Sequence, residues 1–143
     1  QTFNLIAVLD VYQNVEFPLL LKGGMTKKER DRRIREIVEQ VGLEKQMKQR
    51  PNELSGGQRQ RVAIARALVT KPKIVLADEP TANLDSTTGQ NIIAAMKEIN
   101  RKERTTFIFS THDPMVMEQA ERVIRMADGK IVGETEQGTE GVA

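Results

Sequence analysis

The chain has 143 residues, the length of one ordinary domain, since single domains typically take about 100–200 residues. Its composition, 38% hydrophobic and 29% charged, predicts a folded globular chain and argues against disorder. With 22 basic and 20 acidic residues the formal net charge is only +2, and aromatic residues make up 3%, so we expect no nucleic-acid partner. The absence of cysteine excludes disulfides and thiolate chemistry. No apolar run approaches the roughly 20 residues that a transmembrane helix needs.

The first half of the chain is predicted to be helical. Thr26 and Glu29 have capping-box spacing and begin a helix whose apolar positions (Ile34, Ile37, Val38, Val41) share one face, and Gly42 is placed to end it. A shorter helical stretch is predicted over 43–49, before Pro51. A second strong helix is predicted after Ser55, which has capping-box spacing to Gln58.

The second half changes to an α/β pattern. The continuous apolar run 74–77 predicts a strand buried on both faces, and 105–110 predicts a second strand. A long helix from 85 or 86 to 101 joins them, so the two strands should be parallel. Asp113 and Pro114 predict the start of a short helix, and Asp128-Gly129 predicts a hairpin between 123–126 and 130–132. The predicted fold class is therefore α/β: a parallel-sheet core with a helical subdomain and a C-terminal β-hairpin.

Three polar residues are predicted to meet at one edge of this sheet. Asp78 and Glu79 directly follow the first strand, and His112, the only histidine in the sequence, follows the second. In open α/β sheets ligands bind at the carboxyl ends of the strands. Asp78 is placed to hold Mg²⁺, directly or through water, while Glu79 could polarise a water and His112 could contact a terminal phosphate. Taken alone, Asp78 and Glu79 could equally be a polar strand end with a helix-capping acid. A lone histidine such as His112 is often structural.

A second candidate site is the helix start at Leu54-Ser55-Gly56-Gly57-Gln58. Its glycines let a ligand approach the backbone, and its free N–H groups together with the helix dipole favour phosphate. The alternative is a helix start that Ser55 and Gln58 merely cap. Asp85, after Asn83-Leu84, is interpreted first as a helix cap.

The order of these elements resembles the nucleotide-binding domain of ABC transporters. By that resemblance Leu54–Gln58 is the signature, Ile74–Asp78 the Walker B strand and Glu79 the general-base or water-polarising glutamate, with Leu84-Asp85 as the D-loop and His112 as the switch histidine. Gln1 matches the Q-loop glutamine, which in the family contacts the metal and senses the γ-phosphate. The resemblance divides the chain into residues 1–70 (Q-loop, helical subdomain and signature helix) and residues 71–143 (the C-terminal part of the ATPase core). Residues 2–6 and 14–19 are similar to the lipoprotein-release and macrolide-efflux branch.

The resemblance also implies cofactors and partners. It implies ATP and Mg²⁺, a head-to-tail dimer in which the signature of one subunit caps the ATP of the other, and an integral-membrane permease that the dimer drives. Such a subunit is cytoplasmic and peripheral on the inner face of the cell membrane. Within this arrangement Ser55, Gly56, Gly57, Gln58 and Asp85 are expected to contact nucleotide, Asp78 and Gln1 the metal, and Glu79, His112 and Gln1 to act in hydrolysis.

The sequence departs from the family at the phosphate-binding loop. It contains no Gly-x-x-x-x-Gly-Lys-[Ser/Thr], and it begins at the Q-loop glutamine without a methionine. We therefore interpret the chain as the C-terminal part of a nucleotide-binding domain and expect it to be inactive alone. We also expect 74–77 and 107–109 to present open faces or edges, which favour pairing with another chain.

Two other functions fit the same motifs. One is a related ATPase that acts on DNA or ribosomes, against which stand the near-neutral charge and the lack of heptad repeats. The other is an interaction module that docks a permease coupling helix, for which Phe3, Leu5, Ile6 and Val8 are candidate contacts. At least half of these four are expected to be ordinary core residues.

Overall fold

The structure, a computed structural model, describes residues 4–82 and 84–136. Within these ranges the helices are α1 (Val11–Lys22), α2 (Lys27–Gln40), α3 (Gly56–Leu68), α4 (Ser86–Glu103) and α5 (Pro114–Gln119). The strands are β1 (Ile74–Asp78), β2 (Thr106–Ser110), β3 (Arg122–Ala127) and β4 (Lys130–Glu136). Two short 3-10 turns, Glu44–Gln46 and Pro51–Glu53, lie between α2 and α3. No helix in the described residues is long and apolar enough to cross a membrane.

Helix α1 was not predicted from the sequence. It begins at an Asp10 cap, whose Oδ1 accepts from the backbone N–H of Gln13 at 2.8 Å while Gln13 Oε1 accepts from the N–H of Asp10 at 3.0 Å. It also carries Pro18 in its interior. Proline removes one backbone donor from a helix and normally interrupts it. Here Val15 and Leu19 on either side of the proline are fully buried, so packing holds the helix together across it.

The other helices of the first half confirm most of their predicted boundaries. Capping boxes at Thr26 and Ser55 begin α2 and α3. Gly42 (φ 65°) follows the end of α2 in the left-handed conformation that glycine adopts without strain. The predicted helical stretch over 43–49 is wrong, because only Glu44–Gln46 forms a single 3-10 turn. Leu43 is fully buried before that turn, so tertiary packing and not helix periodicity sets the path of the chain there.

Strands β1 and β2 form the predicted parallel pair, with Ile74 opposite Thr106 and Asp78 opposite Ser110. The expectation that β1 is buried on both faces is wrong, and the expectation of an open face at 74–77 and 107–109 is confirmed. One face packs inward through Val75, Phe107 and Phe109, whereas the other leaves Ile74, Leu76 and Ile108 exposed by 59%, 76% and 53%. An apolar run shows that both faces of a strand can be buried. In the described residues, other elements pack against only one face of this sheet.

The hairpin and the core complete the fold. Strands β3 and β4 pair antiparallel around Asp128-Gly129 as predicted, with an irregularity between Arg125 and Met126. Buried residues form two clusters, one among α1, α2 and α3 and a smaller one between α4 and α5. Ile64 on α3 and Phe107 on β2 pack against both clusters, so the helical half is joined to the sheet at these residues.

Candidate functional site

The carboxyl edge of the parallel pair brings Asp78, Glu79 and His112 together, as the sequence predicted. Asp78 is the last residue of β1 and lies opposite Ser110, the last residue of β2. The backbone N–H of Glu79 then donates to the Ser110 carbonyl at 2.8 Å, which extends the ladder by one bond. The polar residues that leave the two strands are therefore held side by side at one edge.

The Glu79 carboxylate is held by the segment that follows β2. Its Oε1 lies 2.6 Å from Nδ1 of His112 and accepts from the backbone N–H of His112 at 3.3 Å. Its Oε2 accepts from the hydroxyl of Thr111 at 3.1 Å. The side chain of Glu79 is only 22% exposed, whereas the His112 side chain is 90% exposed. The acid is thus fixed beneath a histidine whose ring faces solvent.

These contacts set the charge of Glu79. The hydrogen bond from His112 is the largest cause that lowers the pKa of the Glu79 carboxyl below its usual 4.5, and the Thr111 hydroxyl lowers it further against the opposing effect of desolvation. Glu79 is therefore ionised at neutral pH. An ionised carboxylate at this position can accept a hydrogen bond from a water or a proton from it.

The backbone of Glu79 adopts a conformation that is unfavourable for its residue type. Its φ of 46° lies in the left-handed region, which costs a non-glycine residue about 1–2 kcal/mol. The turn that follows is closed by the N–H of Ala82, which donates to the Glu79 carbonyl at 3.2 Å. The left-handed backbone directs the carboxylate toward His112, and the surrounding hydrogen bonds keep it there.

Asp78 lies at the same edge and its side chain is exposed to solvent. Within residues 4–82 and 84–136 no group of three or more His, Cys, Asp or Glu side chains could form a complete protein metal site. Magnesium usually takes one or two carboxylates, with substrate phosphates and waters as the other ligands. A single accessible carboxylate fits that pattern. Gln1, the other predicted metal contact, lies outside the described residues.

The predicted signature is a fully formed helix cap. Ser55 Oγ accepts from the N–H of Gln58 at 3.2 Å, and Gln58 Oε1 accepts from the N–H of Ser55 at 2.8 Å. The capping alternative is therefore what the structure contains. It leaves the N–H groups of Gly56 and Gly57 at the first turn without intrahelical partners, as at any helix start, so anion binding there stays a prediction.

The predicted D-loop packs against this helix start. A Cβ on Gly57 would lie 3.2 Å from Cδ2 of Leu84 and 3.5 Å from Cγ2 of Thr88, whereas a Cβ on Gly56 would have nothing within 4 Å. Asp85 caps α4, as the sequence indicated: its Oδ1 accepts from the Thr88 N–H at 2.9 Å and its Oδ2 from the Thr88 hydroxyl at 2.6 Å. Asn83, beside it, lies outside the described residues.

The residues that support this site were not identified from the sequence. Thr111 was given no role, although a hydroxyl residue directly before the histidine was a usable signal. Asp113 was predicted as a helix cap, and it does accept from the Met115 N–H at 2.9 Å, but it also accepts from the hydroxyl of Thr81 at 2.8 Å. The turn after β1 is thus tied to the loop after β2 at two places, Glu79 and Thr81.

The candidate docking surface is only partly assembled. Leu5 packs against the helical core, as expected of part of this set, while Val8 is 73% exposed. Ile6 lines a groove of about 410 Å³ together with Asn4, Phe17, Pro18 and Arg66. Phe3 lies outside the described residues. Of the predicted docking residues that the structure describes, Ile6 is therefore the one that lines this groove beside α1.

The fold and site together define a class. A parallel strand pair that ends in adjacent carboxylates and a histidine, after a helix that starts at Ser-Gly-Gly, is the arrangement of an ATPase cassette. The comparisons agree, because a family model described as ABC transporter matches residues 1–82. The chain belongs to the ABC transporter family.

Individual relatives support this membership. The chain is 44% identical over 133 residues to the ABC transporter ATP-binding protein YtrE of Bacillus subtilis, covering 93% of this chain and 57% of YtrE. It is 47% identical over 131 residues to the lipoprotein-releasing system ATP-binding protein LolD of Chromohalobacter salexigens, covering 92% and 55%. Macrolide export proteins named MacB are also matched, so the predicted branch is confirmed. The chain spans a little over half the length of YtrE and LolD.

Solved structures show the same fold. The dimeric structure of MJ0796, a bacterial ABC transporter cassette by its description, superposes with a TM-score of 0.87 at 44% identity, covering 96% of this chain and 61% of that one. A second structure of MJ0796 is described as a post-hydrolysis state bound to ADP and Pi. These matches confirm the predicted α/β fold class.

Proposed function

We propose that this chain is part of the ATP-hydrolysing subunit of an ABC transporter, and that the complete protein couples ATP hydrolysis to the work of a membrane permease. The observation that carries the proposal is the ionised Glu79 carboxylate, 2.6 Å from Nδ1 of His112 at the carboxyl edge of the β1–β2 pair. The post-hydrolysis description of MJ0796 supports the same activity in a relative.

In this proposal each edge residue has a distinct role. Glu79 accepts a hydrogen bond from the attacking water and orients it, because it is the ionised carboxylate fixed by two neighbours. His112 holds Glu79 through Nδ1 and presents its exposed ring to the terminal phosphate. Asp78 and Gln1 would hold Mg²⁺, which when bound neutralises charge on the phosphate oxygens.

The signature is proposed to act across a dimer. The first-turn N–H groups of Gly56 and Gly57, with Ser55 and Gln58, face the ATP of the partner subunit, and Asp85 contacts the same interface. A helix N-terminus favours phosphate through its exposed donors and its dipole. The dimeric structure of MJ0796 supports a second cassette as the partner. Residues 1–70 then form the helical and signature part, and residues 71–143 the part of the core that carries hydrolysis.

A substitution at Glu79 tests the proposal in the complete protein encoded by the gene. Glu79→Gln keeps the shape of the side chain and removes its negative charge, so the rate of phosphate release should fall by about 100-fold or more. The matched control is Glu98→Gln, the same chemical change on α4 at a side chain that is 60% exposed. A Glu79→Gln protein that hydrolyses ATP at the wild-type rate would rule out the proposed role.

The 143-residue chain alone should hydrolyse ATP negligibly. Its sequence contains no Gly-x-x-x-x-Gly-Lys-[Ser/Thr], the loop that cradles the phosphates and positions them for in-line attack. Phosphate release from the purified chain should therefore match a no-protein blank. A saturable, Mg²⁺-dependent activity that disappears in Glu79→Gln would show that the reasoning is wrong.

Docking of a permease helix is the second proposed property, and it places the protein at the inner face of the membrane. Its support is the groove that Ile6 and Phe17 line, next to the exposed Val8. Ile6→Ser should weaken retention of the protein on an immobilised coupling-helix peptide of its permease, without nucleotide. The control is Val132→Ser, which removes an exposed apolar side chain from the C-terminal hairpin. Equal retention of both variants and wild type would exclude this groove as the docking site.

A further inference from the structure

One buried amide links the predicted signature helix to the predicted hydrolytic residue. Gln60 on α3 is only 7% exposed, and its Nε2 donates to the backbone carbonyl of Pro80, 20 residues further along the chain. A buried amide without a partner costs about 1–3 kcal/mol, so this hydrogen bond constrains both elements that it joins.

The acceptor belongs to the turn that orients Glu79. Pro80 directly follows Glu79 and is buried. The left-handed φ of 46° at Glu79 depends on the turn that continues through Pro80 to Ala82. The proline ring fixes φ of Pro80 at about −65° and the peptide between Glu79 and Pro80 is planar, so only the ψ torsion of Pro80 lies between that peptide and the Pro80 carbonyl. The hydrogen bond from Gln60 to this carbonyl therefore limits how far the turn at Glu79 can move. The direction of the Glu79 carboxylate is thus coupled to a hydrogen bond from α3.

A second contact makes α3 rigid against the same segment. Gly57 and Gln60 are three positions apart and lie on one face of the helix. Gly57 packs against Leu84, and Gln60 holds Pro80, so one helix face touches both ends of the segment between Glu79 and Asp85. A displacement of α3 at its N-terminus moves both contact points together.

We propose that Gln60 is a positioning residue for ATP hydrolysis: it transmits the position of the signature helix to the turn that aims the Glu79 carboxylate. The inference rests on the proposed function, since it requires Glu79 to act in hydrolysis. It assigns Gln60 no contact with ATP, so its loss should change the rate of hydrolysis and leave the affinity for ATP intact.

The test compares two variants of the complete protein that each remove one buried donor to a proline carbonyl. Gln60→Met keeps an unbranched side chain of similar length and leaves the Pro80 carbonyl without this donor. Thr105→Val is the matched control, because the Thr105 hydroxyl donates to the carbonyl of Pro72 at 2.8 Å and is 1% exposed, at the opposite end of β2 from His112. Folding is checked by circular dichroism and thermal unfolding, ATP binding by equilibrium titration, and hydrolysis by single turnover.

We expect both variants to lose thermal stability, and only Gln60→Met to lose single-turnover rate, by about tenfold or more, with the Kd for ATP within about threefold of wild type. Gln60→Leu, which is close to glutamine in size and also has no donor for the Pro80 carbonyl, should show the same rate loss and serves if the methionine variant does not fold. Equal rate losses in Gln60→Met and Thr105→Val, or a wild-type rate in both Gln60 variants, would overturn the inference. A wild-type protein without ATPase activity would instead overturn the proposed function itself.

Discussion

The two glycines of the signature give the sharpest test of how its helix start is built. Both occupy the first turn of α3, where alanine is favoured over glycine by up to about 1 kcal/mol. At Gly56 a new methyl group would have no atom within 4 Å, so Gly56→Ala should raise the free energy of unfolding by about 0.5–1 kcal/mol.

At Gly57 the same change meets Leu84. A Cβ there would lie 3.2 Å from Cδ2 of Leu84, and crowding of this kind costs about 1 kcal/mol when the neighbour is the end of a flexible side chain. The gain in helix propensity is then cancelled. Gly57→Ala should leave the free energy of unfolding near the wild-type value, about 1 kcal/mol below that of Gly56→Ala.

Urea unfolding of the two variants measures this difference directly. ATP hydrolysis by the complete protein adds a second readout, because the proposed contact with the partner's phosphate needs the open space at Gly56. Gly56→Ala should therefore be more stable and yet hydrolyse ATP more slowly. If Gly57→Ala gains as much stability as Gly56→Ala, Leu84 does not pack on the start of α3 as the structure indicates.

Three further predictions concern stability. Asp85→Ala removes the cap of α4 at Thr88 and should lower the free energy of unfolding by about 1 kcal/mol in a urea titration, while Asp85→Ser should restore most of it. The side chain of Asn14 is fully buried and hydrogen-bonds the backbone of Ile6 as both donor and acceptor. Asn14→Leu should therefore lower the free energy of unfolding by about 3 kcal/mol in the same assay, and a loss below about 1 kcal/mol would contradict the role of these hydrogen bonds. The pKa of the Glu79 carboxyl is lowered mainly by His112, so the stability that this carboxylate contributes is present above pH 4.5 and is lost as the pH falls through the lowered pKa. Glu79→Gln should therefore flatten that part of the pH–stability profile, and an unchanged profile would contradict this reasoning.

Local chemistry determined which helices could be predicted. The capping boxes at Thr26 and Ser55 place α2 and α3 correctly, because a cap is a contact between residues three apart. Asp10 and Gln13 form the same kind of cap for α1, yet Pro18 argues against a helix there. That helix exists because Val15 and Leu19 are buried by other elements, and such burial cannot be deduced from the segment itself.

In the candidate site, too, local sequence predicts some residues, whereas others depend on contacts that are distant along the chain. Its edge residues Asp78, Glu79 and His112 follow their strands directly, so the parallel topology alone was enough to predict that they meet. Thr111 and Gln60 act through hydrogen bonds to residues 32 and 20 positions away in the chain. The sequence does not reveal which distant residue each of them contacts. The apolar run of β1 does not by itself reveal how many layers cover it, and its open face was predicted only from the part of the family pattern that this sequence lacks.

The solitary histidine has a practical consequence for spectroscopy. His112 is the only imidazole in 143 residues, so every imidazole resonance in a proton–carbon or proton–nitrogen NMR spectrum belongs to it without assignment experiments. Because Nδ1 touches Glu79 while the rest of the ring is open to solvent, the two ring nitrogens sense different surroundings. One nitrogen signal therefore monitors the carboxylate and the other monitors whatever approaches from outside, within a single side chain.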